Sequence, residues 1–267
     1  MNSLFSYLFP WRHVGLIRQF AMRDVHARYR QSWLGAVWMV LTPLAMLGVY
    51  TLVFRHVMKV RFDGLDESNL SFALRIYAGL AVFNFFAECV NRAPNLVREQ
   101  PHLVKKVVFP LEVLAWVNVT SAMAGLLVSM ALLLTLGFWD RGGLSVSALA
   151  LPLVWLPLVP LCLGLGWLLS GVGTYVHDVG QLLGMVLSAL MFLSPIFFPV
   201  EALPEAVRGW MFLNPLALVM TQTREVILLG SWPNWYALGI EFCLCTAVAL
   251  VGAAFFRLTR VGFADVV

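Results

Sequence analysis

The chain has 267 residues, 61% hydrophobic and 12% charged, with a formal net charge of +4 and a mean hydropathy of +0.84. That composition excludes an ordinary soluble domain. The basic residues sit beside apolar runs and are distributed unevenly about them, which argues for topology-setting charge and against nucleic-acid binding. The cysteines Cys89, Cys162, Cys243 and Cys245 all fall inside apolar runs, where a thiol acts as a small hydrophobe, so neither a disulfide framework nor a metal site is expected.

Crossing a bilayer core of roughly 30 Å takes about 20 helical residues, and by that measure the sequence predicts an all-α membrane protein with six transmembrane helices. The opening MNSLFSYLFPWRHVG does not read as a cleavable signal, because Pro10 breaks its short apolar part and basic residues follow it. On a helical wheel Arg12, Arg23, His26 and Arg30 fall within about 60° of one another. Leu16, Ile17, Phe20, Ala21 and Val25 lie opposite, interrupted by Arg18, Asp24 and Arg28. This pattern predicts a helix over 12–30 lying in the membrane interface; a plain cytoplasmic leader carrying positive charge is the alternative.

The spans follow at about 34–54, 70–89, 111–136, 146–171, 182–198 and 235–256. Pro43 kinks the first. The loop 55–69 carries nearly cancelling charges, as suits the outer side. Over 93–100 a short helix is predicted, opened by Pro94 and closed by Pro101, with Lys105 and Lys106 beyond it. Such a helix is too short to hold by itself and needs something to dock against, which on the cytoplasmic side is a soluble partner. Pro152, Pro157, Pro160, Gly164, Gly166 and Ser170 allow irregular backbone and close helix contact in the fourth span. The stretch 200–230 is too polar to span, and its apolar segments predict two short helices re-entering or lying on the outer surface. Eleven Lys and Arg lie on the side of the termini and six on the other, with Arg75 inside a span, so both termini are expected in the cytoplasm. No separate soluble domain is read.

The only lysines are Lys59, Lys105 and Lys106, and none follows a glycine. There is accordingly no phosphate loop, and ATP hydrolysis by this chain is not expected. Its histidines are scattered, without the spacing of a metal site. Ser170 and His177 lack the glycine-flanked elbow of a hydrolase. Arg75, Glu88, Glu112 and Glu241 sit near span ends, and no acid lies at a midpoint, which disfavours proton or sodium coupling. Trp38, Tyr50, Phe54, Phe83, Phe86 and Phe192 sit at several depths and suit the stacking of sugar rings; lipid-facing or interface packing accounts for them equally.

Five segments, RDVHARYRQSWLGAVW (23–38) with TPL (42–44), LVKKVVFPLEVL (103–114), HDV (177–179), SPIFFP (194–199) and LNPLA (213–217), are spread in order over nearly the whole chain. Together they resemble the membrane subunit of ABC-2 type exporters of bacterial cell-surface polysaccharides, the family of O-antigen, capsule and teichoic-acid permeases. The chain departs from it at His177, where the family usually has an Arg before the Asp. The resemblance implies a homodimer of six-span subunits in the bacterial inner membrane. Two copies of a separate ABC subunit would bind ATP and Mg2+, with no cofactor in this chain. It implies that 93–100 is a coupling helix, with Asn95, Leu96, Val97, Arg98, Glu99 and Gln100 at the ATPase, and that 200–230 forms outer gate helices. Arg23, Arg28 and Arg30 would meet the phosphate of a lipid-linked glycan through bidentate contacts, and aromatics of spans 1, 2 and 5 would line the sugar path. The implied function is export of a lipid-linked O-antigen or capsular polysaccharide. An ABC-2 exporter of a small molecule or lipid would share the architecture, whereas a secondary transporter would need no ATPase.

Overall fold

The computed structural model describes residues 7–30, 33–57, 68–105, 109–198, 209, 211 and 214–266, and every regular element among them is helical. A 3-10 turn, Trp11–His13, leads into α1 (Val14–Tyr29). Next come α2 (Trp38–Thr51), which widens into π turns over Leu52–Val57, and α3 (Asn69–Arg92). They are followed by α4 (Val113–Arg141), α5 (Leu158–Tyr175) and α6 (Val179–Leu193). The last helices are α7 (Ala217–Arg224), continued by a π turn over Glu225–Leu229, and α8 (Trp235–Thr259).

Hydrogen bonds define two ends of the bundle. At one, here the base, Arg92 donates to Asp24 (2.8 Å) and the Tyr175 hydroxyl to the Thr259 carbonyl (2.8 Å). At the other, the crown, Ser68 caps α3 and donates to Asp140 (2.8 Å), Ser147 donates to the Val226 carbonyl (2.9 Å), and the Asn234 amide donates to Gln222 (2.8 Å). Ion pairs and polar side chains thus gather where the helices end, as a low-dielectric surround requires.

Most of α3 is buried, whereas α2 and α6 lie at the edge, each with a single buried residue, Leu47 and Leu187. The stretches Trp38–Arg55, Asn69–Asn95, Val113–Arg141, Val146–Tyr175 and Trp235–Gly262 are long and apolar enough to cross a membrane. Over the fifth expected span, 182–198, the structure has α6, an apolar helix of 15 residues. At 1.5 Å per residue it reaches about 22 Å, short of the hydrocarbon thickness. Its end follows from Pro195, which drives Ser194 to an extended ψ of 149°. The irregular backbone expected in span 146–171 is present: it begins as a 3-10 turn, Val146–Ala150, with a helical turn Leu151–Val154, and becomes regular only from Leu158. Pro152, Pro157 and Pro160 each remove a backbone donor there.

The helix expected over 93–100 is corrected. Pro94 does not open a helix. It ends α3, tightening it into a 3-10 turn, Ala93–Asn95, followed by hydrogen-bonded turns in which Glu99 N–H donates to Asn95 (2.9 Å) and Gln100 N–H to Val97 (3.1 Å). A proline interior to a helix costs a ladder bond and clashes with the preceding turn, so tightening is the economical outcome. Pro94 is held against α5, where a Cβ on Gly173 would lie 2.6 Å from its backbone. Of the expected outer helices over 200–230, residues 200–208, 210, 212 and 213 lie outside the described residues. The described part packs into the protein: Leu216, Val219, Met220, Thr223 and Val226 are fully buried. Arg224 reaches across the crown, donating to the carbonyls of Arg75 (2.9 Å) and Ile196 (2.7 Å). Likewise outside lie Lys59 and Arg61 of the 55–69 loop, and Lys106.

The tightest packing joins α5 and α8. A Cβ at Gly164 would come within 2.7 Å of the Ala249 backbone, and one at Gly252 would land on the Gly164 carbonyl, so the helices touch backbone to backbone. Gly239, on the same α8, has nothing within 4 Å of a Cβ. In thermal unfolding of the detergent-solubilised protein, Gly252→Ala is therefore expected to cost about 1–3 kcal/mol by overpacking. Gly239→Ala should leave the transition unchanged or raise it, since alanine favours the helix.

Candidate functional site

The base is organised by a cluster of four charges. On α1 the face made by Ile17, Ala21, Asp24 and Arg28 turns inward against α4, with Ile17 and Ala21 buried. Asp24 accepts from Arg92 at the end of α3, from Arg28 one turn on (3.0 Å), and from the Ser121 hydroxyl of α4. Arg28 also donates to Ser121 (2.6 Å) and to Glu88 of α3. Two cations and two anions thus close on one another where α1, α3 and α4 meet. Burial alone would raise the Asp24 carboxyl, but hydrogen bonds from Arg92, Ser121 and Arg28 prevail and hold it at about 2. Beside the two carboxylates, the Arg28 guanidinium is held above its ordinary range despite its burial.

This arrangement separates the three arginines expected to meet a lipid phosphate. Arg28 is engaged by Asp24 and Glu88. Arg23 and Arg30 lie about 140° and 160° from it around the helix. Both are exposed, and Arg23 lies over the Phe20 ring at 4.5 Å. The polar interruptions in the apolar side of α1, Asp24 and Arg28, are therefore its contacts with the spans.

Above the cluster a cavity of about 270 Å³ opens between α2, α3 and α4. Trp38, Thr42, Pro43 and Met46 line it from α2, Ala81, Asn84, Phe85 and Glu88 from one face of α3, and Ala122, Gly125, Leu126 and Ser129 from α4. Of the six aromatics singled out in the sequence, Trp38 is on this wall. Phe83 and Phe86 are not: they are buried in the core, with Phe85 facing the cavity between them. Tyr50, Phe54 and Phe192 gather toward the crown around Phe197, with ring centroids 5.5, 4.3 and 6.2 Å from it, the Phe54 pair stacked. Phe197 and Asn84 are the residues that sequence reasoning missed. Phe197 lay in plain view within SPIFFP, and Asn84 is the one polar residue in a run of apolar ones from 78 to 87.

At the foot of α3 the segment 95–100 does not present all its residues. Val97 is fully buried, Leu96, Arg98 and Gln100 are half-buried, and Asn95 and Glu99 are exposed. Nearby, Arg260 donates to Glu112 (3.2 Å) and to the Tyr7 hydroxyl (3.2 Å), tying both chain ends to the start of α4. A second, apolar cavity of about 340 Å³ lies under the N-terminal segment beside Trp116. Ser170 is buried and donates to the Trp167 carbonyl (3.1 Å). Among the described residues no three His, Cys, Asp or Glu are grouped to hold a metal.

A family model described as ABC-2 type transporter matches residues 15–228. An O-antigen export system permease protein of Myxococcus xanthus is 25% identical over 267 residues, covering 99% of this chain and 99% of the relative. A polysialic acid transport protein of Escherichia coli is 25% identical over 241 residues, 88% of this chain and 90% of its own length. A capsule polysaccharide export inner-membrane protein of Neisseria meningitidis serogroup B is 22% identical over 196 residues, 73% of this chain and 72% of its own.

Asp24→Asn removes one charge from the cluster and is expected to cost about 1–3 kcal/mol, the range for hydrogen bonds to charged groups. The folded carboxyl titrates below its ordinary value of 3.8. Its contribution is therefore fully present above about pH 4 and is lost as pH falls toward 2. The difference in unfolding temperature between the wild type and Asp24→Asn should stay level from about pH 5 to pH 8.

Proposed function

This chain belongs to the ABC-2 type transporter family, and from that premise we propose that it is the membrane-spanning permease subunit of an ATP-driven exporter of a cell-surface polysaccharide, O-antigen or capsular, on a lipid carrier. It works in the inner membrane as a multi-pass protein and supplies a path rather than covalent chemistry. The observation that carries the reading is the end-to-end match with an O-antigen export permease, 99% of either chain. Permeases named for polysialic acid and capsule export support the substrate class.

In this reading two copies of the chain form the channel, α6 together with the residues that follow it to Phe198 completes a sixth crossing, and both termini lie in the cytoplasm. Two ABC ATP-binding subunits, carrying ATP and Mg2+, dock at the base. Asn95 and Glu99, exposed at the foot of α3, with Leu96, Arg98 and Gln100 beside them, meet that subunit, and Val97 anchors the turn from within. Closure of the ATPase dimer pushes this turn, and α3 transmits the movement because it is one helix from the turn to the crown. The re-entering α7 belongs to the outer gate. Arg23 and Arg30 face the interface where a lipid phosphate arrives, and the ring cluster around Phe197 offers stacking faces to the sugar.

The test is ATP hydrolysis by the chain copurified with its ATP-binding partner from the native membrane, with and without the lipid-linked glycan. A stable complex whose rate responds to the glycan is expected; a chain that moves substrate without any ATPase overturns the reading. A charge reversal separates the two roles in the turn. Glu99→Arg combined with Asn95→Arg should release the partner and abolish export while leaving the unfolding temperature of the permease unchanged. Val97→Asp should instead lower that temperature, because it buries an unpaired charge.

A further inference from the structure

We propose that the cavity between α2, α3 and α4 is a binding subsite for one sugar unit of the transported glycan, with Asn84 as its central hydrogen-bonding group. The inference deepens the polysaccharide reading and rests on it. Asn84 lies about 12 Å up α3 from its basal end and is exposed on the cavity wall. A primary amide at that depth is costly against lipid, and polar groups in spans face a bundle interior or a water-filled space.

What surrounds it is the chemistry of a pyranose ring. Trp38, 42% exposed, offers an aromatic face to the C–H side of a sugar, with the buried Phe85 in the wall beside Asn84, and Thr42, Asn84 and Ser129 offer hydroxyl and amide partners to its hydroxyls. Glu88 closes the floor. One of its oxygens is bound to Arg28, and a Cβ on Gly125 would lie 4.0 Å from the other, so that oxygen is turned toward the cavity wall as an acceptor. A further sign of a polar occupant is Tyr77, one turn of the same α3 face above Ala81. Its side chain is 2% exposed and its hydroxyl lies beside Ser129, which lines the cavity. An aliphatic substrate would leave all these groups unmet, and a neutral polyol satisfies them.

The experiment uses a strain whose own copy of the gene is deleted and complemented with wild type, Asn84→Leu, Thr42→Val or Ser129→Ala, with surface polysaccharide and ATP hydrolysis of the copurified complex both measured. Asn84→Leu should lower surface polymer about five- to tenfold, the loss expected for one or two hydrogen bonds to a bound sugar. Complex yield should be unchanged and the response of ATP hydrolysis to the glycan weakened, with partial recovery in Asn84→Gln. Thr42→Val and Ser129→Ala should act in the same direction, which keeps the test open if Asn84→Leu fails to assemble. In a Cys243→Ser background, Asn84→Cys should react with a membrane-impermeant methanethiosulfonate, which modifies thiols only in contact with water. Wild-type export by all three hydroxyl and amide variants, or an unreactive Asn84→Cys, overturns the subsite while leaving the permease reading intact. A complemented wild type that restores no surface polysaccharide overturns the permease reading, and the subsite with it.

Discussion

The hydrogen-bonded pairing of Asp24 with Arg28 and Arg92 is the interaction on which the base of this molecule depends. Three elements meet at one carboxylate: α1, which carries it, the foot of α3 through Arg92, and α4 through Ser121. Glu88 supplies the second anion and keeps the group neutral. At the edge of a membrane that balance matters more than any single bond, because an uncompensated charge at partial burial is what the surround penalises. Without it α1 would have only Ile17, Ala21 and their neighbours to hold it to the spans.

The same cluster gives the cavity its floor and the turn over 93–100 its neighbour. Arg92 is the last residue of α3, and the turn that begins with Ala93 follows directly. Glu88, one helical turn earlier, faces the cavity. A displacement of the turn is therefore a displacement of the floor, within two turns of one helix. The turn and the cavity floor lie close together because a single helix carries both.

Much of this was legible in the sequence. Apolar length predicted five of the crossing helices within a few residues at most ends, and the wheel of α1 predicted its extent. Helix α1 also carried its own correction. The residues that spoiled its apolar face, Asp24 and Arg28, did so because they bind α3 and α4, and a partner 60 or more residues away leaves no trace in local periodicity. Prolines were read correctly as breaks and wrongly as to side: Pro94 closes a helix where a helix was expected to open, because Gly173 draws it against α5. Depth along a span was readable for aromatics, but their facing was not. Phe83, Phe85 and Phe86 lie within one turn, and only packing decides that Phe85 meets the cavity. Asn84 needed no partner to be noticed, only the question of what a lone amide does among apolar residues.

The contact of α5 with α8 has a mechanical consequence. Two helices whose backbones touch at Gly164, Ala249 and Gly252 have no compressible side-chain layer between them, so sliding or splaying costs steric overlap at once. They form a stator. Freedom to move then belongs to the helices with least to lose: α2, with Leu47 as its one buried residue, and α6, with Leu187. An opening molecule would keep that pair fixed and move these two, whose rings meet around Phe197.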